Sequence, residues 1–163
     1  MITVRKADHK DLAALKKLAD DLVPSSFRGV LNTSQIDFML DKLYSQEALL
    51  DDIDSGTEYF IASLDGEDLG VASLIKHGPS LFLMQKIYVN ENALGKGIGT
   101  ALFCKIQEYA RSKVLPCTIE MVINSHNPGL NFYIKNGMKK VRDTGLDMGD
   151  FFINEEVYSL ELH

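Results

Sequence analysis

Leu94-Gly95-Lys96-Gly97-Ile98-Gly99-Thr100 is the stretch on which the reading of this chain turns. It follows Leu81-Phe82-Leu83-Met84-Gln85-Lys86-Ile87-Tyr88-Val89, a run of strand composition, and it leads into Ile98, Leu102, Ile106 and Tyr109-Ala110, apolar residues at helical spacing. The spacing predicts a strand, a glycine-rich loop and an amphipathic helix from about Ile98 to Lys113. Glycine at three alternate positions lets an anion approach the main chain, because no Cβ stands in the way. The helix start adds unpaired N–H groups and about half an elementary positive charge. A pyrophosphate is the natural guest of such a cradle.

Other readings of the loop fit less well. A Walker A loop needs GxxxxGK[ST], and the chain has no such string. A dinucleotide-binding GxGxxG would need its third glycine one place later than Gly99, although Glu120 stands where a ribose-binding acid could. The glycines also trail the strand by the five residues Asn90 to Leu94 and sit mid-chain. The remaining alternative is a connection that turns tightly and binds nothing.

Upstream, residues 2–6 read as a short strand. Asp8 and Asp11 precede a first helix that carries Leu12, Leu15, Leu18, Ala19 and Leu22. After Pro24-Ser25-Ser26, Ser34 is the expected N-cap of a helix bearing Ile36, Met39, Leu40 and Leu43, and a further short helix covers Ala48 to Ile53. The period then changes. Tyr59–Leu64 and Leu69–Ile75, joined by Asp65-Gly66-Glu67-Asp68, predict a hairpin. Downstream lie a strand around Thr118 to Ile123, a helix near Leu130 to Lys135, and strands at Met138–Val141 and Val157–Leu162. A meander followed by a strand–helix–strand crossover predicts an α+β, or mixed α/β, sheet in a single domain over residues 1–163.

Composition narrows the partners. A formal charge of −6 argues against a nucleic-acid binder with a basic face. It suits an amine partner, but serves solubility equally well. The two cysteines, Cys104 and Cys117, have no metal-ligand or disulfide spacing and are expected to be inert and buried; no metal site is expected. No apolar run approaches the roughly 18 residues of a membrane span, so a cytoplasmic location without membrane contact is expected.

The glycine loop resembles the acetyl-CoA loop of the GCN5-related N-acetyltransferases, the GNAT superfamily, whose pattern [QR]xxGx[GA] follows a strand ending in a Tyr-Val-like pair. Lys86-Ile87-Tyr88-Val89 and Gly95-Lys96-Gly97-Ile98-Gly99 carry the likeness; Leu94 departs from the usual Gln or Arg. A second segment, Asn124-Ser125-His126-Asn127-Pro128-Gly129-Leu130-Asn131-Phe132-Tyr133-Ile134-Lys135-Asn136-Gly137-Met138, is similar to the family's Asn-x-x-Ala-x-x-x-Phe-Tyr-x-x-x-Gly-Phe region. Its Asn position falls on His126, with Asn127 one residue closer to the tyrosine and taken as the equivalent. The resemblance implies a central, mostly antiparallel sheet of six to seven strands, splayed between the fourth and fifth, with about four flanking helices.

The same resemblance implies roles. Ile87, Tyr88 and Val89, with a β-bulge in their strand, would bind the pantetheine through the backbone. Leu94, Gly95, Lys96, Gly97, Ile98, Gly99 and Thr100 would hold the pyrophosphate, and Asn127 and Tyr133 would complete the cofactor site. Tyr133 would protonate the departing thiolate. Glu120 is the candidate base, while Gln85, as an amide, could only orient water. Phe27 to Tyr44 and Gly145 to Glu156 would form the substrate side. Tyr44-Ser45 and Met148-Gly149-Asp150 look like the bacterial polyamine-acetylating (PaiA-like) branch, and Asp147, Asp150, Glu155 and Glu156 could draw in a polycation or simply be solvated. The expected activity is acetyl transfer from acetyl-CoA to a primary amine of a small molecule, in a protein that, like many of the family, forms a homodimer. A non-catalytic acyl-CoA-binding or sensing module is the alternative.

Overall fold

In the computed structural model, which describes residues 1–85 and 87–163, every strand belongs to one sheet. Strand β1 (Ile2–Lys6) pairs with β2 (Glu58–Leu64), which forms a hairpin with β3 (Glu67–Lys76). Asp65 and Gly66 both have positive φ, as a two-residue Asp-Gly hairpin turn requires. The sheet continues through β4 (Leu81–Met84), β6 (Cys117–Ile123), β8 (Phe152–Leu162) and β7 (Lys139–Asp147), while the two-residue β5 (Tyr88–Val89) pairs with β3 off this path. Among the described residues only β4 and β6 are parallel neighbours.

Helices α1 (Leu12–Ser26), α2 (Thr33–Leu43) and α3 (Gln46–Asp54) cover one face, and α4 (Ile98–Lys113) with α5 (Leu130–Lys135) the other. Alternation along β2 sorts the two cores. Phe60 and Ala62 face α4, whereas Tyr59 and Ile61 face α1–α3. Gly70 of β3 permits close helix–sheet contact, since a Cβ there would stand 2.8 Å from Ile98 Cγ2 of α4.

Four expectations are corrected. The mixed α/β, mostly antiparallel sheet is as expected, but among the described residues it has eight strands rather than six to seven, with five α-helices rather than about four. The run 81–89 is not one strand: β4 and β5 both pair with β3, and Lys86 lies outside the described residues. The α2 N-cap is Asn32, not Ser34, because Asn32 and Gln35 form a reciprocal capping box. Helix α1 itself runs through Pro24 to Ser26.

The break between β4 and β5 opens the site. Leu74 faces Met84 and Val71 faces Tyr88, so three steps along β3 match four on the opposite segment, the signature of a one-residue bulge. The β4–β6 ladder ends at Met84 opposite Met121, and β6 runs on without β5 beside it. The sheet therefore splays here. Gly145 to Glu156, expected as a loop, lies mostly in β7 and β8. The tip of this hairpin packs on the helices, with Met148 and Ile153 buried and Phe151 edge-on to Phe38.

Candidate active site

The loop between β5 and α4 takes the shape its glycines permit. Gly95 (φ +80°) and Gly97 (φ +89°) are left-handed, a conformation that costs other residues about 1–2 kcal/mol. Gly97 is the N-cap of α4, and the first intrahelical bond runs from the Ala101 N–H to the Gly97 carbonyl at 3.0 Å. The N–H groups of Ile98, Gly99 and Thr100 precede it, so they are available to an anion.

These amides open into a cleft of about 750 Å³, within the usual range for small-molecule sites. Ile87 and Val89 wall it from the strand side, where β5 pairs with β3 on its other edge. Leu94, Gly95, Gly97, Ile98, Gly99 and Thr100 wall the loop end, and Asn127 and Tyr133 the side beyond β6. Two residues expected to hold the cofactor are not among those lining it. The Tyr88 side chain is buried toward α1–α3 and shares a 3.1 Å hydroxyl contact with Tyr44, and Lys96 is exposed outside the wall.

Tyr133 is carried on α5 and buried, its ring edge-on to Phe103 and Phe132. Its hydroxyl oxygen accepts a hydrogen bond from the Ile87 N–H at 2.5 Å. Burial pushes the phenol well above its ordinary pKa, so Tyr133 is a neutral O–H donor through the physiological range. Asn127 joins three pieces of the wall: its Oδ1 accepts from the Gly129 N–H at 2.7 Å, and its Nδ2 donates to the Ser26 carbonyl at 3.1 Å. His126 also lines the cleft, and its N–H donates to the Asn124 side chain.

Glu120 stands elsewhere. It alternates with the core residues Ile119 and Met121, and Arg142 of β7 grips its carboxylate at 2.9 and 3.3 Å. It is not among the cleft-lining residues, so acting as base there would require Arg142 to let go and the chain to bring it closer. Of the acids near the final hairpin, Asp147 caps the turn at the Gly149 N–H, Glu156 pairs with Lys140, and Glu155 is buried on the side of α1–α3. Cys117 is buried, but Cys104 is exposed: it falls off the α4 stripe that packs on the sheet.

The sequence singled out none of Ser25, Ser26, Arg28 and Glu91 as wall residues, although Arg28 falls in the segment expected on the substrate side; Phe132, read only as core, also faces the cleft. Only the persistence of α1 beyond Pro24 could have pointed to the first three.

A family model described as an acetyltransferase (GNAT) domain matches residues 55–140, from the end of α3 into β7. The chain belongs to this GNAT family. Its activity is accordingly that of an acetyl-CoA-dependent N-acetyltransferase, with acetyl-CoA as co-substrate. This GNAT protein is similar to a spermidine N(1)-acetyltransferase of Thermoplasma acidophilum, 27% identical over 163 residues that cover 96% of this chain and 98% of the relative. Its fold is similar to that of the PaiA N-acetyltransferase of Thermoplasma acidophilum in complex with coenzyme A, with a TM-score of 0.85 at 21% identity over 99% of each chain. A GCN5-related N-acetyltransferase from Rhodopseudomonas palustris gives a TM-score of 0.80 at 16% identity, over 98% of this chain and 95% of its own. The GNAT fold is thus present in full, and no helix among the described residues is long and apolar enough to cross a membrane.

Proposed function

We propose that this GNAT protein transfers the acetyl group of acetyl-CoA to a primary amine of a small molecule, polyamine-like in class, by direct attack. One observation carries the reading: the Tyr133 hydroxyl and the Ile87 amide meet at the head of a cleft whose far end is the amide cradle of residues 97–100. A CoA thioester has a diphosphate for the cradle, pantetheine amides for the β5 edge and a carbonyl for a main-chain N–H. The similarity to a spermidine N(1)-acetyltransferase supports the amine class.

The chemistry follows from these groups. The neutral amine nitrogen attacks the acetyl carbonyl carbon, the carbon–sulfur bond breaks, and its electron pair goes to sulfur. A main-chain N–H of the splayed strand edge, other than the Ile87 N–H that Tyr133 already takes, stabilises the carbonyl oxygen as charge builds on it. The Tyr133 O–H donates to the sulfur, whose thiol has an ordinary pKa of about 8.5. The proton shed by the attacking nitrogen restores the phenol, so no tyrosinate accumulates.

The test is to incubate the protein with acetyl-CoA and a panel of amines, polyamines included, while following thiol release. Amine-dependent thiol is expected, with polyamines among the best acceptors. Acetyl-CoA binding without amine-dependent thiol from any amine would leave the non-catalytic module standing.

A further inference from the structure

We propose that Arg28 is a ligand of the CoA diphosphate, held in reserve by Glu91. The inference rests on the reading that acetyl-CoA occupies this cleft, and it begins from charge. The loop 94–100 offers amides and a helix dipole, but Leu94 has no polar side-chain atom and Lys96 is not on the wall. Among the described residues Arg28 is the one Lys or Arg that lines the cleft. Among the described lining residues, Arg28 is thus the one permanently charged cation that a diphosphate in this cleft meets.

Geometry adds a second argument. Glu91 lies just before the glycine loop, in the 3₁₀ turn Glu91–Ala93, and its two carboxylate oxygens take the Arg28 guanidinium at 3.0 and 3.3 Å. A planar guanidinium binds two oxygens of a phosphate in the same forked way it binds two of a carboxylate. The carboxylate thus marks where the fork already points, at the phosphate end of the cleft. Both side chains are solvent-accessible, at 69% and 50%, so their pairing is weak enough to be exchanged. The backbone beneath is fixed, because Phe27 is buried and the Asn127 Nδ2 donates to the Ser26 carbonyl. Arg28 is a mobile charge on an anchored base.

Glu91 carries the same sign of charge as the diphosphate. In the free protein it neutralises Arg28; with a diphosphate present it competes for the guanidinium. Removing it strengthens cofactor binding, and only while Arg28 is there to use.

Calorimetric titration of the wild type, Arg28→Gln, Glu91→Gln and the double variant with CoA, and again with 3′-dephospho-CoA, tests this; thermal melts check that each variant folds. Arg28→Gln is expected to weaken both ligands about tenfold, the scale of a charge-assisted hydrogen-bonded pair. Glu91→Gln is expected to tighten both, and the gain is expected to vanish in the double variant. An Arg28→Gln affinity within about twofold of wild type, or weaker binding by Glu91→Gln, overturns the proposal. A loss seen with CoA but not with 3′-dephospho-CoA overturns the diphosphate assignment. If the wild type itself binds neither ligand, the cofactor reading fails first and takes this inference with it.

Discussion

The Tyr133 hydroxyl lies 2.5 Å from the Ile87 amide nitrogen, tying the helix after β6 to the strand edge on the other side of the splay. The same hydroxyl is 3.4 Å from the Ile87 carbonyl, so the phenol is aimed at the bulged segment rather than packed as a plain core ring. Tyr133→Phe keeps the ring against Phe103 and Phe132 and removes only the O–H. Turnover is expected to fall tenfold or more, since general acids contribute about 10²–10⁴-fold, with CoA affinity retained. Steady-state rates set beside calorimetric affinities check it, and an unchanged turnover removes Tyr133 from the chemistry.

Gly99 separates a packing role from a binding role. A Cβ there would meet Phe132 at 3.5 Å and Val89 at 3.9 Å, ordinary contacts, so Gly99→Ala fits the folded protein. Stability is expected to hold or rise by up to about 1 kcal/mol, as for glycine replaced in a helix. The methyl, however, sits on the cleft wall beside the free amides. A methyl forced into an occupied contact costs about 1–3 kcal/mol, so CoA affinity is expected to drop about tenfold. A melt and a titration on the same sample read both, and equal affinity would mean that no ligand atom approaches Gly99.

The elements that frame this candidate site were legible because their local signals are strong. The α4 start at Ile98 and the α5 span Leu130–Lys135 follow from apolar spacing bounded by glycines, and the structure has both. The break inside residues 81–89 was not legible as a break, because an unbroken apolar run fits one strand or two. It is decided by neighbours distant in sequence: β6 stays with β4 as far as Met84 and leaves β5 to β3 alone. Arg28 and Glu91 were missed for the same reason, being 63 residues apart. Glu120 shows the converse. Its place on β6 was foreseen, but its carboxylate is taken by Arg142, a partner that only the pairing of β7 with β8 brings near.

That pairing predicts what Glu120 does. The ion pair is about half-exposed on the arginine side, and such pairs contribute about 0–1 kcal/mol. Glu120→Gln is expected to cost no more than that in a urea melt. Turnover at saturating substrate is expected to stay within about threefold of wild type, a change of under 1 kcal/mol in the barrier. A tenfold loss with the fold intact, accompanied by loss of the acidic limb of the rate profile, would instead make Glu120 the base.

The buried phenols set how the fold responds to alkali. The chain has six tyrosines, and burial raises the phenol pKa of every one: Tyr44, Tyr59, Tyr88, Tyr109, Tyr133 and Tyr158. Tyr44 is pushed up to about 12, and Tyr59, Tyr88 and Tyr133 are further buried members of the two cores. A folded-state pKa above the unfolded value, about 10, means that the folded protein holds its protons more tightly. That stability is fully present below pH 10 and is lost as pH rises toward the folded values. Tyrosinate absorbance from Tyr44, Tyr59, Tyr88 and Tyr133 is therefore expected to rise late, together with loss of near-ultraviolet circular dichroism. If all six phenols instead titrate near pH 10 with the dichroism intact, the rings are wetter than their packing implies.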